Sequence, residues 1–224
     1  MAQTAVALRL AEPAEEAGVL PSAAYDQALH FARTVHAGQF RKSGGGPYLS
    51  HLLQVSGLVL EYGGDETQAI AALLHDAIED QADAQGGAPR LRGLIAGKFG
   101  PSVLHLVEVC SDCESKPKPP WLLRKQRHLQ RLARASAYEC LVPACDKLHN
   151  LRCINADLHA GRDPFRVLKG GPHEQIWCYT ASTELFVGKG LAVAADLAAE
   201  LERMRQLADR RGLLAIEQEV AIAD

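Results

Sequence analysis

Ala71-Ala72-Leu73-Leu74-His75-Asp76-Ala77-Ile78-Glu79-Asp80 carries the main decision about this chain. At about 100° per residue, Leu73, Leu74, Ala77 and Ile78 fall on one side of a helix, and His75, Asp76, Glu79 and Asp80 fall on the other. The apolar side is wide enough to be a core face. All four residues of the polar side can ionise, and three are carboxylates with no Lys or Arg between them. One account is a solvated outer face with i,i+4 pairing. The other is a cation site, because the same face runs back through Ala69 and Ala72 rather than through charged residues, and clustered carboxylates need an offsetting positive charge. A divalent metal would supply it.

The rest of the chain reads the same way. Tyr25, Ala28, Leu29, Ala32 and Val35 recur at helical spacing from Pro21-Ser22 onward. A glycine-rich loop, Ser43-Gly44-Gly45-Gly46-Pro47, follows with Arg41 and Lys42 at its entrance. A helix from about Ser50 stops at Gly63-Gly64, and Asp65 with Gln68 then forms a capping-box start for the next. Further helices are expected around Leu91 to Phe99, from Pro101 to Cys110, after Pro119-Pro120, from Pro143 to Ala160, from His173 to Val187, and from Leu191 to Arg211. No run of alternating β-branched residues suggests a strand. The expectation is one all-α domain of seven to nine helices, a helical bundle. Residues 1–20 read as a flexible tail, 21–187 as the main domain, and 188–224 as a C-terminal helix packing on it.

With 224 residues, 47% hydrophobic and 23% charged, the chain has ample material for one core and is not of the disordered or fibrous class. A formal net charge of −3 leaves no global positive excess for wrapping a nucleic acid, so any anion site is local. No apolar run approaches about 18 residues, and no leader peptide is readable, so no membrane association and a cytoplasmic location are expected. Six scattered cysteines in such a chain favour reduced thiols.

A metal at His75-Asp76 needs ligands from elsewhere. His51 follows the glycine loop at the start of a helix, where a ring can be aimed inward; an isolated His is also often an ordinary partly buried polar group. Asp146 lies in the apolar run Leu141-Val142-Pro143-Ala144-Cys145, where an unpaired carboxylate is costly. Pairing with Lys147 or Arg152 is the alternative.

Three ordered motifs, Arg41-Lys42-Ser43-Gly44 with Pro47-Tyr48-Leu49-Ser50-His51, then Ala72 to Asp80, then Cys145-Asp146-Lys147-Leu148-His149-Asn150-Leu151, resemble those of HD-domain hydrolases. They are most similar to the hydrolase domain of RelA/SpoT-type enzymes and to stand-alone small alarmone hydrolases, over about residues 22–187. The resemblance implies an HD-domain helical bundle in which His51, His75, Asp76 and Asp146 bind one divalent metal, usually Mn²⁺. It implies that Glu79 and Asp80 position and deprotonate the attacking water. Arg41, Lys42 and Ser43 would line the nucleotide pocket beside the phosphates, with Asn150 contacting the nucleotide from the other side. The implied activity is removal of the 3′-pyrophosphate from a (p)ppGpp- or (p)ppApp-type alarmone in the stringent response, without synthetase activity. The chain departs from the family pattern at Leu52, at Cys145 and over Ser111 to Arg134, where prolines and Trp121 bear on base and distal-phosphate recognition.

Other HD-type chemistry on NADPH or a nucleoside monophosphate, or a non-catalytic nucleotide-sensing module, are the competing readings. The oligomeric state is not readable. The basic helix with Arg124, Lys125, Arg127, His128, Arg131 and Arg134 is expected to be a solvated face with one or two substrate contacts, since no stacking aromatics interleave it. Cys110 and Cys113 are expected to mark a helix end with one buried and one exposed thiol, and Trp177 and Tyr179 to belong to the core.

Overall fold

The computed structural model describes residues 22–42, 44–113 and 117–215. Within them the chain folds into α1 (Ala23–Val35), α2 (Leu49–Glu61), α3 (Glu66–Leu74), α4 (Ala77–Gln81), α5 (Ala88–Phe99), α6 (Pro101–Cys110), α7 (Trp121–Arg134), α8 (Ala137–His159), α9 (Pro172–Gly188) and α10 (Val193–Arg210), with a 3-10 turn at Pro164–Arg166. The sheet-like pairing found among the described residues is one isolated bridge between Phe40 and Pro47. The all-α bundle is therefore as expected. The tail assigned to residues 1–20 lies outside the described residues, as does Ser43.

Two helix assignments are corrected. Ten α-helices form among the described residues rather than seven to nine, because the segment from Glu66 to Gln81 breaks at His75-Asp76, where Asp76 has φ −97° and ψ −1°. The long helix expected from Pro143 begins six residues earlier, at Ala137. Ser136 caps it in a capping box, with its hydroxyl accepting from Glu139 N and the Glu139 carboxylate accepting from Ser136 N. Pro143 sits inside this helix, where its missing N–H leaves the Glu139 carbonyl without its usual partner. The Ser-x-x-Glu signal at 136–139 outweighs the proline, since a proline in the second turn disrupts only one bond near an end.

α8 is the axis of the fold. Its buried residues include Cys140, Val142, Ala144, Cys145, Leu148, Leu151 and Ile154, which surround most of its circumference, as befits a helix enclosed by others. It packs against α2, α3, α6, α9 and α10. α10 contributes Leu197, Leu201 and Met204 to the same core, and Asn155 Nδ2 donates to the Glu200 carbonyl at 2.8 Å. Gly63, at φ +80°, turns the chain from α2 into α3. At Gly64 a Cβ would come within 2.5 Å of Val59 Cγ1, so only glycine permits this approach of the two helices. That approach holds His51 on α2 next to the end of α3. Among the described residues no helix is long and apolar enough to cross a membrane.

Candidate metal centre and cleft

His51 comes from the first turn of α2, His75 and Asp76 from the break between α3 and α4, and Asp146 from the middle of α8. In a regular helix neighbouring side chains point about 100° apart and do not face each other. The break overcomes that limit: His75 Nε2 lies 2.9 Å from Asp76 Oδ2. The one continuous helical face expected from His75 to Asp80 is thus replaced by a tight turn, although Asp80 N still donates to the Asp76 carbonyl at 2.9 Å. Leu73, Leu74, Ala77 and Ile78 are fully buried, and the polar side opens into a cleft rather than onto the outer surface.

The four residues close on one point. His51 Nε2 is 3.2 Å from Asp146 Oδ1 and 3.7 Å from Asp76 Oδ2, and His75 Nε2 is 3.6 Å from Asp146 Oδ1. Donors bound side by side to one cation at about 2.1 Å stand about 3 Å apart, so the set has the spacing of a coordination shell. The His75 ring supplies the sharper test. Its Nδ1–H donates to the Ala72 carbonyl at 2.8 Å, which leaves the Nε2 lone pair facing two carboxylates. Nε2 is buried without a hydrogen-bond partner, and His75 is 2% exposed. A lone pair against carboxylate oxygens is repulsive unless a positive charge intervenes. Burial opposes positive charge on this ring, but Asp76 and Asp146 hold the His75 pKa well above its usual value, so the surroundings of Nε2 favour a positive charge there. Burial likewise opposes the charges on Asp76 and Asp146, yet His75 beside the first and Lys147 beside the second hold both carboxyls well below the usual carboxylate range. The residues fit a divalent cation, and two imidazoles with two carboxylates suit Mn²⁺, Fe²⁺ and Zn²⁺ alike.

Around this point lies a cleft of about 470 Å³, continuous through shared residues with a lobe of about 290 Å³. Arg41 and Lys42 line both, on the loop closed by Arg41 N donating to Gly46 O at 2.8 Å and Tyr48 N donating to Gln39 O at 2.9 Å. Asn150 stands between the loop and the centre. It accepts from Arg41 at 2.9 Å through Oδ1 and donates to Asp146 Oδ1 at 2.6 Å through Nδ2.

Glu79 and Asp80 also face the cleft, and both are already held. Lys118 Nζ donates to Glu79 Oε1 at 2.8 Å and Asp112 N to Oε2 at 3.2 Å. Gln39 Nε2 donates to Asp80 Oδ2 at 2.8 Å. Gln39 cannot turn its amide over, because its Oε1 lies 2.6 Å from His36 Nδ1 and accepts from Gln81 Nε2 at 2.5 Å. Burial, with Asp112 next in effect, raises the Glu79 pKa; burial, with Asp76 next, raises that of Asp80.

Residues to which the sequence assigned no role in the centre complete the site. Tyr48 donates to Asp76 Oδ2 at 2.5 Å and sets its ring edge-on to His51. Asp112, its side chain 5% exposed, pairs with Arg124 and with Lys125 Nζ at 2.8 Å. This pair corrects the reading of α7: Arg124 and His128 are buried, and Arg131 donates to the Ser111 and Asp112 carbonyls, because a buried carboxylate requires cations from the facing helix. The thiols of Cys110 and Cys113 are both half-buried, since it is Ser111 and Asp112 between them that turn inward. Tyr179 is in the core, but Trp177 is exposed; the indole beside the second lobe is Trp121, packed over Gly170.

Asp112 leads to a prediction about pH. Burial opposes its charge, but Lys125 and Arg124 prevail and lower its pKa from 3.8 to about 2, a difference worth about 2 kcal/mol. That stability is fully present above the unfolded value near 4 and lost as pH falls through about 2. Asp112→Asn is expected to lower the neutral-pH stability in denaturant titrations by about 3 kcal/mol, because Arg124 is left buried without its counter-charge, and to flatten the acid limb of the stability curve.

Residues 28–166 match the family described as HD domain. The chain is similar to the guanosine-3′,5′-bis(diphosphate) 3′-pyrophosphohydrolase MESH1 of Drosophila melanogaster, at 32% identity over 144 residues, 63% of this chain and 75% of the relative. It is also similar to a GTP pyrophosphokinase of Myxococcus xanthus, at 31% identity over 135 residues, 58% of this chain, and there it spans only 17% of the relative's length. A solved structure described as a metazoan ortholog of SpoT that hydrolyzes ppGpp superimposes with a TM-score of 0.60 at 27% identity, covering 88% of this chain and all of the other.

Proposed function

The chain belongs to the HD-domain family, and on that premise we propose that it is a divalent-metal-dependent hydrolase removing the 3′-pyrophosphate from a (p)ppGpp- or (p)ppApp-type alarmone. The observation that carries this reading is the closure of two imidazoles and two carboxylates on one point at the floor of a cleft lined with cationic side chains. The similarity to MESH1 supports ppGpp as the substrate class. A metal held by His51, His75, Asp76 and Asp146, with Mn²⁺ the proposed ion, supplies the Lewis acidity that makes water a nucleophile at neutral pH.

The chain's own residues do the rest. Glu79 and Asp80 orient the attacking water and accept its proton; their raised pKa values make them stronger bases than ordinary surface carboxylates. Water adds to the phosphorus on the 3′ oxygen, the P–O3′ bond breaks, and pyrophosphate leaves while the 3′ oxygen regains a proton. Arg41 and Lys42 meet the phosphates, whose charge would otherwise be repelled by four nearby carboxylates. Asn150 ties Arg41 to Asp146, so substrate binding and ligand placement share one amide. Lys147, Lys125, Lys118 and Lys169 extend the cationic lining through the second lobe.

Purified protein with Mn²⁺ should convert ppGpp or ppApp to the nucleoside 5′-diphosphate and pyrophosphate; product identification across ppGpp, pppGpp, ppApp, NADPH and nucleoside monophosphates decides among substrates. Absence of turnover on every member of the panel would overturn the enzyme reading in favour of nucleotide sensing. Arg41→Ala or Lys42→Ala should raise KM more than it lowers kcat, because phosphate contacts made equally in the ground and transition states contribute to binding alone. Steady-state kinetics at saturating Mn²⁺ checks this, and loss of metal instead of substrate affinity would reassign the loop.

A further inference from the structure

A third histidine stands behind the centre. His149, three residues after Asp146 on α8, is 4% exposed, and its Nδ1 lies 2.7 Å from Nδ1 of His51. The two rings are 4.8 Å apart and tilted by 41°. Two neutral imidazole nitrogens at that separation share one proton, so the arrangement has two versions. If His149 Nδ1–H donates, the His51 ring must carry its own proton on Nε2, the atom facing Asp146 at 3.2 Å. If His51 Nδ1–H donates, His51 Nε2 presents a lone pair to the centre, as a metal ligand must. His149 then carries its proton on Nε2, and that atom faces Cys153 Sγ at 3.7 Å, a weak acceptor one helical turn further on.

We propose that His149 is the positioning residue that sets the His51 tautomer for metal binding, its Nδ1 accepting a hydrogen bond from His51 Nδ1–H while its own Nε2–H donates to Cys153 Sγ. The proposal rests on the metal-centre reading above. His75 reaches the same state differently, through the Ala72 carbonyl, a fixed acceptor. The backbone thus fixes the Nδ1 proton of one imidazole ligand, whereas that of the second is set by a ring that can donate or accept. A carboxylate in place of His149 would add a third negative charge to the pair already supplied by Asp76 and Asp146.

The test uses two substitutions and the full-length chain. His149→Phe keeps the ring's bulk but offers no acceptor; His149→Asn places its Oδ1 where the histidine Nδ1 lay. Mn²⁺ affinity is read by competition with a fluorescent chelator, and the melting temperature of the metal-free proteins is read separately. Second-sphere losses of this kind weaken metal binding by about 10- to 100-fold. The expected result is that loss for His149→Phe, with substantial recovery in His149→Asn and metal-free melting temperatures that do not follow the same order. Equal Mn²⁺ affinity in wild type and His149→Phe would overturn the role of His149 while leaving the centre intact. So would a weakening in His149→Asn as large as in His149→Phe. Failure of the wild-type protein to bind Mn²⁺, Fe²⁺ or Zn²⁺ would overturn the metal centre itself.

Discussion

Asp146→Ala is expected to abolish tight metal binding and, with it, hydrolysis. Both imidazoles face the Asp146 carboxylate, at 3.2 and 3.6 Å, as they also face Asp76, and Asp146 is anchored from outside by Asn150 and Lys147. Its removal takes away a ligand and a negative charge together, and leaves Lys147 beside a centre that must still accept a dication. Loss of metal binding leaves turnover without its activated water, so the fall in rate should exceed that of any other substitution named here. Metal analysis after gel filtration, with kinetics on the same preparation, checks the result. Stoichiometric metal with normal turnover in this variant would remove Asp146 from the ligand set. The fold should survive, because Asp146 is partly open to the cleft and the buried apolar surface of α8 is untouched.

The second large effect concerns chemistry without metal loss. Glu79→Gln and Asp80→Asn should each lower kcat by about 10²- to 10⁴-fold, the usual loss when a general base is neutralised, while metal content stays near the wild-type level. Both replacements keep the shape of the side chain. The amide oxygen introduced by Asp80→Asn can still accept from Gln39, and the one introduced by Glu79→Gln can still accept from Asp112 N, so the comparison isolates proton acceptance from positioning. The pH profile carries the same information. Catalysis needs ionised carboxylates, and burial raises both pKa values, so the wild-type rate should fall on acidification from a pH above the ordinary carboxylate range. Glu79 is held by the Lys118 ammonium, whereas Asp80 is held by a neutral amide, so Asp80 gives up less in accepting a proton and its variant should show the larger loss. Wild-type rates in both variants would make these carboxylates ordinary cleft-wall groups and end the proposed mechanism.

The helical class, the order of the elements and the residue types brought together at the centre were all legible in the chain. The 3.6-residue spacing of Leu73, Leu74, Ala77 and Ile78 reports burial directly, because a face that repeats along consecutive residues needs no knowledge of its neighbours. Capping boxes at Asp65 and Ser136 are equally local; the first marks its helix cleanly, and the second is masked by the proline at 143. His75 and Asp76 stand out on a face of clustered carboxylates that needs an offsetting cation, and Asp146 as a costly carboxylate in an apolar run. His51 and Asp146 join them as one ligand set only through the resemblance to HD-domain hydrolases. What only the tertiary structure decides is where these groups meet and what holds them. The break at His75-Asp76 has no glycine or proline to announce it; it lets adjacent side chains converge on partners from α2 and α8. The contacts His51 to His149, Gln39 to Asp80 and Lys118 to Glu79 join residues 98, 41 and 39 positions apart. Such pairs leave no periodic trace, since each residue alone is an ordinary polar side chain on a helix or loop. Their meaning arises only when close-packed helices fix separate segments to within hydrogen-bonding distance, and that distance depends on the whole core rather than on any local stretch of the chain.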